Sequence, residues 1–237
     1  VTRPRFAERA DTPELMDDPT TDFATFSACL HDLEQVNRLT LGYRPTLGFL
    51  SRIARQADGP LRILDAGSGH GDTLRQVARW AARRGIAVEL TGVDLNPWST
   101  RAAQEATPPG LPITYETADV LEHRPAQGVD VIISALFAHH LDDASLVRFL
   151  RWMEGTARLG WFVNDLHRHP LPYHFFRHAS RALRMHHFVQ HDGPVSITRG
   201  FVADDWRRLL AEADIPPNAA KLEWWMPFRL CVARVRA

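Results

Sequence analysis

Apolar and polar positions alternate between two rhythms along this chain. From Asp22 to Gln56, Phe26, Leu30, Leu33, Val36 and Leu39 recur at steps of three and four, the period of one helix face. Gly42 and Pro45 interrupt that run, which predicts two helices rather than one. Leu61 to Leu64 is a short apolar run behind the turn Ala57-Asp58-Gly59-Pro60, as expected of a buried strand. Helical spacing returns at Leu74, Val77, Ala78 and Ala81. Val88 to Val93 reads as a second strand ending in Asp94, and Pro97 opens the next helix from a first-turn position. Ile113 to Thr117, Val129 to Ile133 and Trp161 to Asn164 read as three more strands. Before the last of these, Asp142 or Asp143 caps a helix whose apolar face is Leu146, Phe149, Leu150 and Met153.

Strands that alternate with helices imply right-handed βαβ units and a parallel sheet covered on both faces, so the expected class is α/β. The alternation stops after Asp165. Residues 170–200 are rich in His, Phe and Arg and predict an inserted helical lid. A helix from Asp204 or Asp205, with Trp206, Leu209, Leu210 and Ala213 inward, and two strand-like runs close the chain. The expected organisation is a single domain over 1–237. Residues 1–59 form a helical N-terminal cap whose first twenty residues are a loose polar arm. Residues 60–169 form the core, 170–200 the lid, and 201–237 the final helix and strands.

Composition narrows the picture by exclusion. Lys plus Arg and Asp plus Glu stand at 28 each among 237 residues, so the basic excess of a nucleic-acid binder is missing. No apolar run is long enough for a transmembrane helix, and the N-terminus lacks a basic-then-apolar leader pattern. Cys29 and Cys231 stand far apart and outside any CxxC unit. The expectation is a cytoplasmic protein with reduced thiols and a small-molecule partner.

The chemistry begins at Asp65-Ala66-Gly67-Ser68-Gly69-His70-Gly71, between a strand and a helix. Glycines let the backbone turn sharply and approach a ligand, and the helix start offers free N–H groups. The spacing is not GxGxxG, since Asp72 stands three after Gly69, and no lysine completes a phosphate-binding P-loop. Asp65, two before the first glycine, would repel a pyrophosphate and attract an ammonium or sulfonium. Asp94 ends the second strand, where a carboxylate can accept both ribose hydroxyls. Asp119-Val120 follows the third strand, where an acid can take an adenine amino group and a backbone N–H a ring nitrogen.

These residues resemble the class I S-adenosylmethionine (SAM)-dependent methyltransferases. Asp65 to Gly71 looks like their motif I, Gly92-Val93-Asp94 like the second-strand acidic motif, Ala118-Asp119-Val120 like the adenine motif, and Asp130 to Ser134 like the fourth strand. The likeness covers roughly residues 60–166. It implies a Rossmann-like, seven-stranded, mostly parallel sheet with the last strand antiparallel, and SAM as cofactor. By that resemblance Asp65 and Gly67 meet the methionine part, Asp94 the ribose and Asp119 the adenine. Ser68, Gly69, Gly71, Leu95, Val120 and Ser134 line the same cofactor, and Arg38 or Arg44 reaches its carboxylate.

Methyl transfer is a displacement in which the enzyme chiefly aligns the acceptor. A phenol also needs a base, and histidine is poised for that. Ser134 to Asp142 carries His139 and His140 directly after the fourth strand, in a His-His-Leu element similar to methyltransferases of quinone biosynthesis. Some quinone-type O-methyltransferases carry Glu-x-x-Glu-His here as a metal site. Ala135 and Ala138 stand in place of those glutamates, so no metal is expected there. His167, after the fifth strand, is a third candidate. His174 and His178 are four apart and could share a helix face, but lack a third ligand of recognisable spacing. Phe175, Phe176, Leu183 and Phe188 of the lid are expected to wall an apolar acceptor pocket. Asn37-Arg38, Asp165 to Pro170 and His191 to Pro194 together resemble bacterial methyltransferases encoded with polyketide-type pathways. The resulting expectation is O-methylation of a phenol or enol with histidine assistance. C-methylation of a quinone or aromatic precursor and a non-methylating SAM-binding protein are the alternatives.

Overall fold

The computed structural model describes residues 6–18 and 20–236. A seven-stranded sheet forms the centre, in the order β3-β2-β1-β4-β5-β7-β6. The strands are β1 (Leu61–Ala66), β2 (Val88–Asp94), β3 (Ile113–Thr117), β4 (Val129–Ala135), β5 (Ala157–Leu166), β6 (Ala220–Trp225) and β7 (Arg229–Val235). The last strand, β7, runs antiparallel to both its neighbours, β5 and β6.

Inside the sheet the side chains alternate between two cores, because successive residues of a strand point to opposite faces. Leu64, Ile132, Trp161, Val163 and Val232 face one core, which α5 (Asp143–Thr156) and α8 (Ala203–Glu212) cover with Phe149, Leu150, Trp206 and Leu209. Ile63, Val131, Ile133, Phe162 and Cys231 face the other, covered by α2 (Arg44–Ile53) and α3 (Asp72–Ala82). The stacked rings of Phe49 and Phe162, 4.8 Å apart, lock α2 to β5. The helix α2 is therefore part of the sheet's own helical layer, whereas the sequence assigned it to a separate cap.

The cover is made by α1 (Phe23–Leu39), which Asp22 caps by accepting the Thr25 N–H at 3.0 Å. Phe26 and Leu30 pack it against Ala102 and Trp98 of α4 (Pro97–Ala106). The lid is two helices, α6 (Pro170–Ala182) and α7 (His187–Arg199), packed on each other. No helix among the described residues is long and apolar enough to cross a membrane.

One expectation is corrected. The polar N-terminal arm is not loose over its described part. Arg9 donates to Asp143 Oδ1 and the Leu141 carbonyl, both at 2.8 Å, and the Leu15 and Met16 N–H groups donate to the two Asp192 oxygens. Polar residues here serve interior acceptors, which local hydropathy does not distinguish from solvation.

Candidate active site

The strand order reverses between β1 and β4, and the ligand crevice of an open α/β sheet lies at such a point, beyond the carboxyl ends of the strands. The β1 end runs into the glycine loop. Gly67 and Gly71 hold φ of 72° and 71°, the left-handed region that glycine enters without penalty. A Cβ on Gly67 would run into the Phe137 ring, and one on Gly71 into the Tyr115 hydroxyl. Gly67 and Ser68 donate to the Val93 carbonyl, and Gly69 donates to Asp94 Oδ2 at 2.9 Å. The loop is thus hung on the end of β2.

A cleft of about 380 Å³ opens over the loop. Asp65, Gly67, Ser68, Gly69, Asp94 and Leu95 line it, together with Glu34 and Asn37 from α1. Asp65 is 1% exposed and its Oδ1 has no hydrogen-bond partner. Burial, then the charges of Asp72 and Asp94, hold its carboxyl well above the usual range. Burial also raises Asp94, although the Asn96 and Gly69 N–H groups pull the other way. Leu95, 70% exposed, offers a flat apolar surface beside these acids. Across the cleft, Glu34 Oε2 pairs with Arg75 at 2.6 Å and His70 Nδ1 at 2.8 Å. Tyr43 and Asn37 both donate to Asp72 Oδ2 at the start of α3.

The other cofactor candidates are placed differently. Asp119 is exposed and accepts the Leu121 N–H in a local turn, outside the cleft lining. Val120 packs in the core beneath it. Ser134 is buried and donates to the Ala66 carbonyl at 2.9 Å, tying β4 to β1. Arg44 is exposed at the start of α2 and lines neither this cleft nor the cavity next to it.

That neighbouring cavity, about 170 Å³, holds all three histidine candidates: His139, His140 and His167. It shares Met16, Leu33, Asn37, Leu136 and His140 with the cleft, so the two spaces meet there. Leu136 adopts φ of 56°, a strained setting for a leucine, and its N–H donates to the Asn164 carbonyl. Beyond it a single 3-10 turn, Ala138–His140, presents the histidines. Phe175 and Phe176 of the lid line the cavity as expected; Leu183 is 60% exposed, and neither it nor Phe188 is part of the lining. His174 and His178 are exposed on α6 and are not part of this lining.

His139 is 3% exposed, and its Nδ1 lies 2.7 Å from Asp165 Oδ1. Its backbone N–H reaches Asp165 Oδ2 at 3.2 Å, so one carboxylate holds both ring and main chain. Burial pushes the Asp165 carboxyl up, but the His139 contact, the Leu166 N–H and Arg229 together leave it below the usual range. His139 Nε2 then faces Glu14 Oε1 at 3.7 Å, and His140 Nε2 faces Glu14 Oε2 at 4.0 Å. Arg199 donates to both histidine carbonyls and fixes the turn to α7. Burial, then His169 and Arg168, lower His167 below the usual histidine range. Arg229, 5% exposed, also lines the cavity and donates to Asn37 Oδ1 at 3.0 Å.

Sequence reasoning missed Glu14, Asp165 and Arg229. Asp165 carried a signal: an acid at the end of an otherwise apolar strand must be served by a partner. Glu14 carried none, since it stands in a polar stretch at the far end of the chain from its partners' neighbours in sequence.

Comparison with known proteins agrees with this geometry. Residues 63–160 match the family model described as a methyltransferase domain. Over 122 residues the chain is 32% identical to trans-aconitate 2-methyltransferase of Streptomyces avermitilis, covering 48% of this chain and 42% of that one. Over 101 residues it is 33% identical to the non-reducing polyketide synthase SAT8 of Stachybotrys chartarum, covering 41% of this chain and 4% of that one. The chain spans less than half the length of these curated relatives. Among solved structures, the plantazolicin methyltransferase BpumL in complex with SAH superposes with a TM-score of 0.60 at 12% identity, over 90% of this chain and 96% of that one. Residues 63–160 thus match a methyltransferase domain, and the sheet that carries them is Rossmann-like. Its relatives and structural neighbours include methyltransferases of small molecules.

Proposed function

We propose that this protein transfers a methyl group from SAM to an oxygen of a small, largely apolar acceptor, a phenol or enol of the aromatic or polyketide-like kind. The observation that carries the reading is the junction of the two cavities at Leu136 and His140, with acids on one side and histidines on the other.

The cleft suits SAM on its own chemistry. The unpartnered Asp65 Oδ1 fits the ammonium of the methionine part, Asp94 the ribose hydroxyls, and exposed Leu95 a flat ring. When bound, SAM supplies an electrophilic methyl on a sulfonium. The chain's own groups do the rest. Phe175 and Phe176 exclude water from the acceptor, and Asn37 and Arg229 offer polar contacts to its oxygens. Asp165 holds the Nδ1 proton of His139, which leaves the Nε2 lone pair on the cavity side. The acceptor's proton is lost at this histidine pair. The chain's similarity to part of a polyketide synthase supports the acceptor class.

The test is methyl transfer from labelled SAM to a panel of phenols and enols, run beside calorimetry with SAM. Asp165→Asn is expected to lower turnover about 100-fold or more while SAM affinity stays near that of the wild type. Equal loss of both would mean that Asp165 serves the fold or the cofactor. Failure to bind SAM at all would refute the reading.

A further inference from the structure

At the same junction we propose a metal centre: Glu14, His139 and His140 bind one divalent transition-metal ion. The proposal deepens the reading above by naming what activates the acceptor oxygen, and it rests on that reading only for the reaction.

The three side chains offer ligand atoms that all lie within 4.8 Å of one another. The individual gaps, 3.7 Å from His139 and 4.0 Å from His140 to the two Glu14 oxygens, are too long for hydrogen bonds. They suit atoms that share an ion instead. Ligands at about 2.0–2.2 Å from a zinc-type ion stand roughly 3–4 Å apart. Glu14 is 5% exposed, and the hydroxyl of Ser196 donates to its Oε1 at 2.8 Å. A carboxylate this buried is costly without a compensating charge, and a cation between it and the two rings supplies one.

The surrounding shell is built for ligation. Asp165 takes the Nδ1 side of His139 and directs Nε2 inward, the carboxylate–histidine pairing that orients and strengthens a metal-bound imidazole. Arg9 and Arg199 hold the carbonyl of His139, so the turn keeps its shape. Two imidazoles and one carboxylate form the donor set of a borderline divalent ion, with further positions open. All three residues line the acceptor cavity, so those positions face the acceptor. An anionic oxygen, phenolate or enolate, is the ligand that such an ion takes; with the ion bound, the Nε2 lone pairs are spent on it and the acceptor's proton passes to water instead of to His139 or His140. His140 lines the cofactor cleft as well as the cavity, which places the centre beside the cofactor. The absence of glutamates at Ala135 and Ala138 does not speak against this centre, because its carboxylate comes from the arm.

The experiment is calorimetric titration of the chelator-treated full chain with Zn²⁺ and Mn²⁺, with Mg²⁺ as the hard-ion control, and Co²⁺ absorption as a readout of imidazole ligation. The wild type is expected to bind one Zn²⁺ per chain, and Glu14→Gln and His140→Ala to weaken it roughly 100-fold or more. Asp165→Asn is expected to weaken it about 10- to 100-fold, as a positioning residue does. His174→Ala, on the exposed face of α6, is expected to bind as the wild type does. Circular dichroism melts establish that each variant is folded. No binding by the wild type, or binding by folded Glu14→Gln equal to it, would overturn the proposal. SAM affinity and labelled-methyl transfer are measured on the same preparations. Transfer that persists in full without any ion refutes the metal centre alone, whereas an ion bound without SAM affinity supports the centre and refutes the methyltransferase reading.

Discussion

On the proposed reading, Asp65 serves a ligand at the expense of the fold. Its carboxyl is buried and held well above the usual range, so the folded chain binds that proton more tightly than the unfolded one does. The stability this confers is complete below the ordinary carboxylate range and is lost as pH rises through the raised value. Asp65→Asn removes the buried charge. Thermal melts should therefore show the variant more stable than the wild type at pH 8, with the gap closing as the pH is lowered. Its SAM affinity should fall roughly tenfold or more, the effect of losing a charge-assisted hydrogen bond, and an unchanged affinity would refute the ammonium contact. Gly67→Ala is expected to cost about 1–3 kcal/mol in denaturant unfolding, because its Cβ meets the Phe137 ring and its φ is left-handed. The placement of Asp65, Gly67, Gly69 and Asp94 along the cleft was legible because it follows from local spacing at strand ends. Asp119 and Arg44 were less so, since direction and exposure depend on neighbours that spacing does not describe.

Among the elements, strands and sheet helices were the most legible, and the arm was the least. Short apolar runs placed β1 to β4 within a few residues, because both faces of a parallel sheet are buried. The fifth strand begins earlier than its apolar stretch, at Ala157, because backbone pairing with Val129 and not hydropathy sets its start. The arm is polar and has few regular hydrogen bonds, yet Arg9 is 13% exposed in its side chain and binds Asp143, Leu141 and Arg199. Burial lowers its guanidinium below the usual range, although Asp143 opposes that. Arg9→Ala is expected to cost about 1–3 kcal/mol, since buried carbonyls lose their donor. Limited proteolysis should then cut within residues 6–18 well before the sheet, and turnover should fall with the loss of Glu14 from the cavity. Wild-type resistance in the variant would show that the arm is held by other contacts.

Over the whole molecule, the cleft is closed by parts that meet only on folding. Glu34 and Asn37 of α1 stand over the loop and bond His70, Arg75 and Asp72. SAM at a hundred times its dissociation constant is expected to stabilise the folded chain by about 2.7 kcal/mol. Hydrogen exchange should slow in α1 and at residues 6–18 as well as in the loop; slowing confined to the loop would show that the cover takes no part in binding. By itself the sequence determined the α/β class, the parallel core and the acids at the ends of β1 and β2. Each of these follows from side-chain period and from residues adjacent in the chain. Only the tertiary structure decided what lines the neighbouring cavity. Glu14 comes from the arm, His139 and His140 from the turn after β4, Asp165 from the end of β5 and Arg229 from the start of β7. Their spacing along the chain bears no relation to their distance in space. Burying one charge among them is tolerable only because packing brings its partners from the other elements.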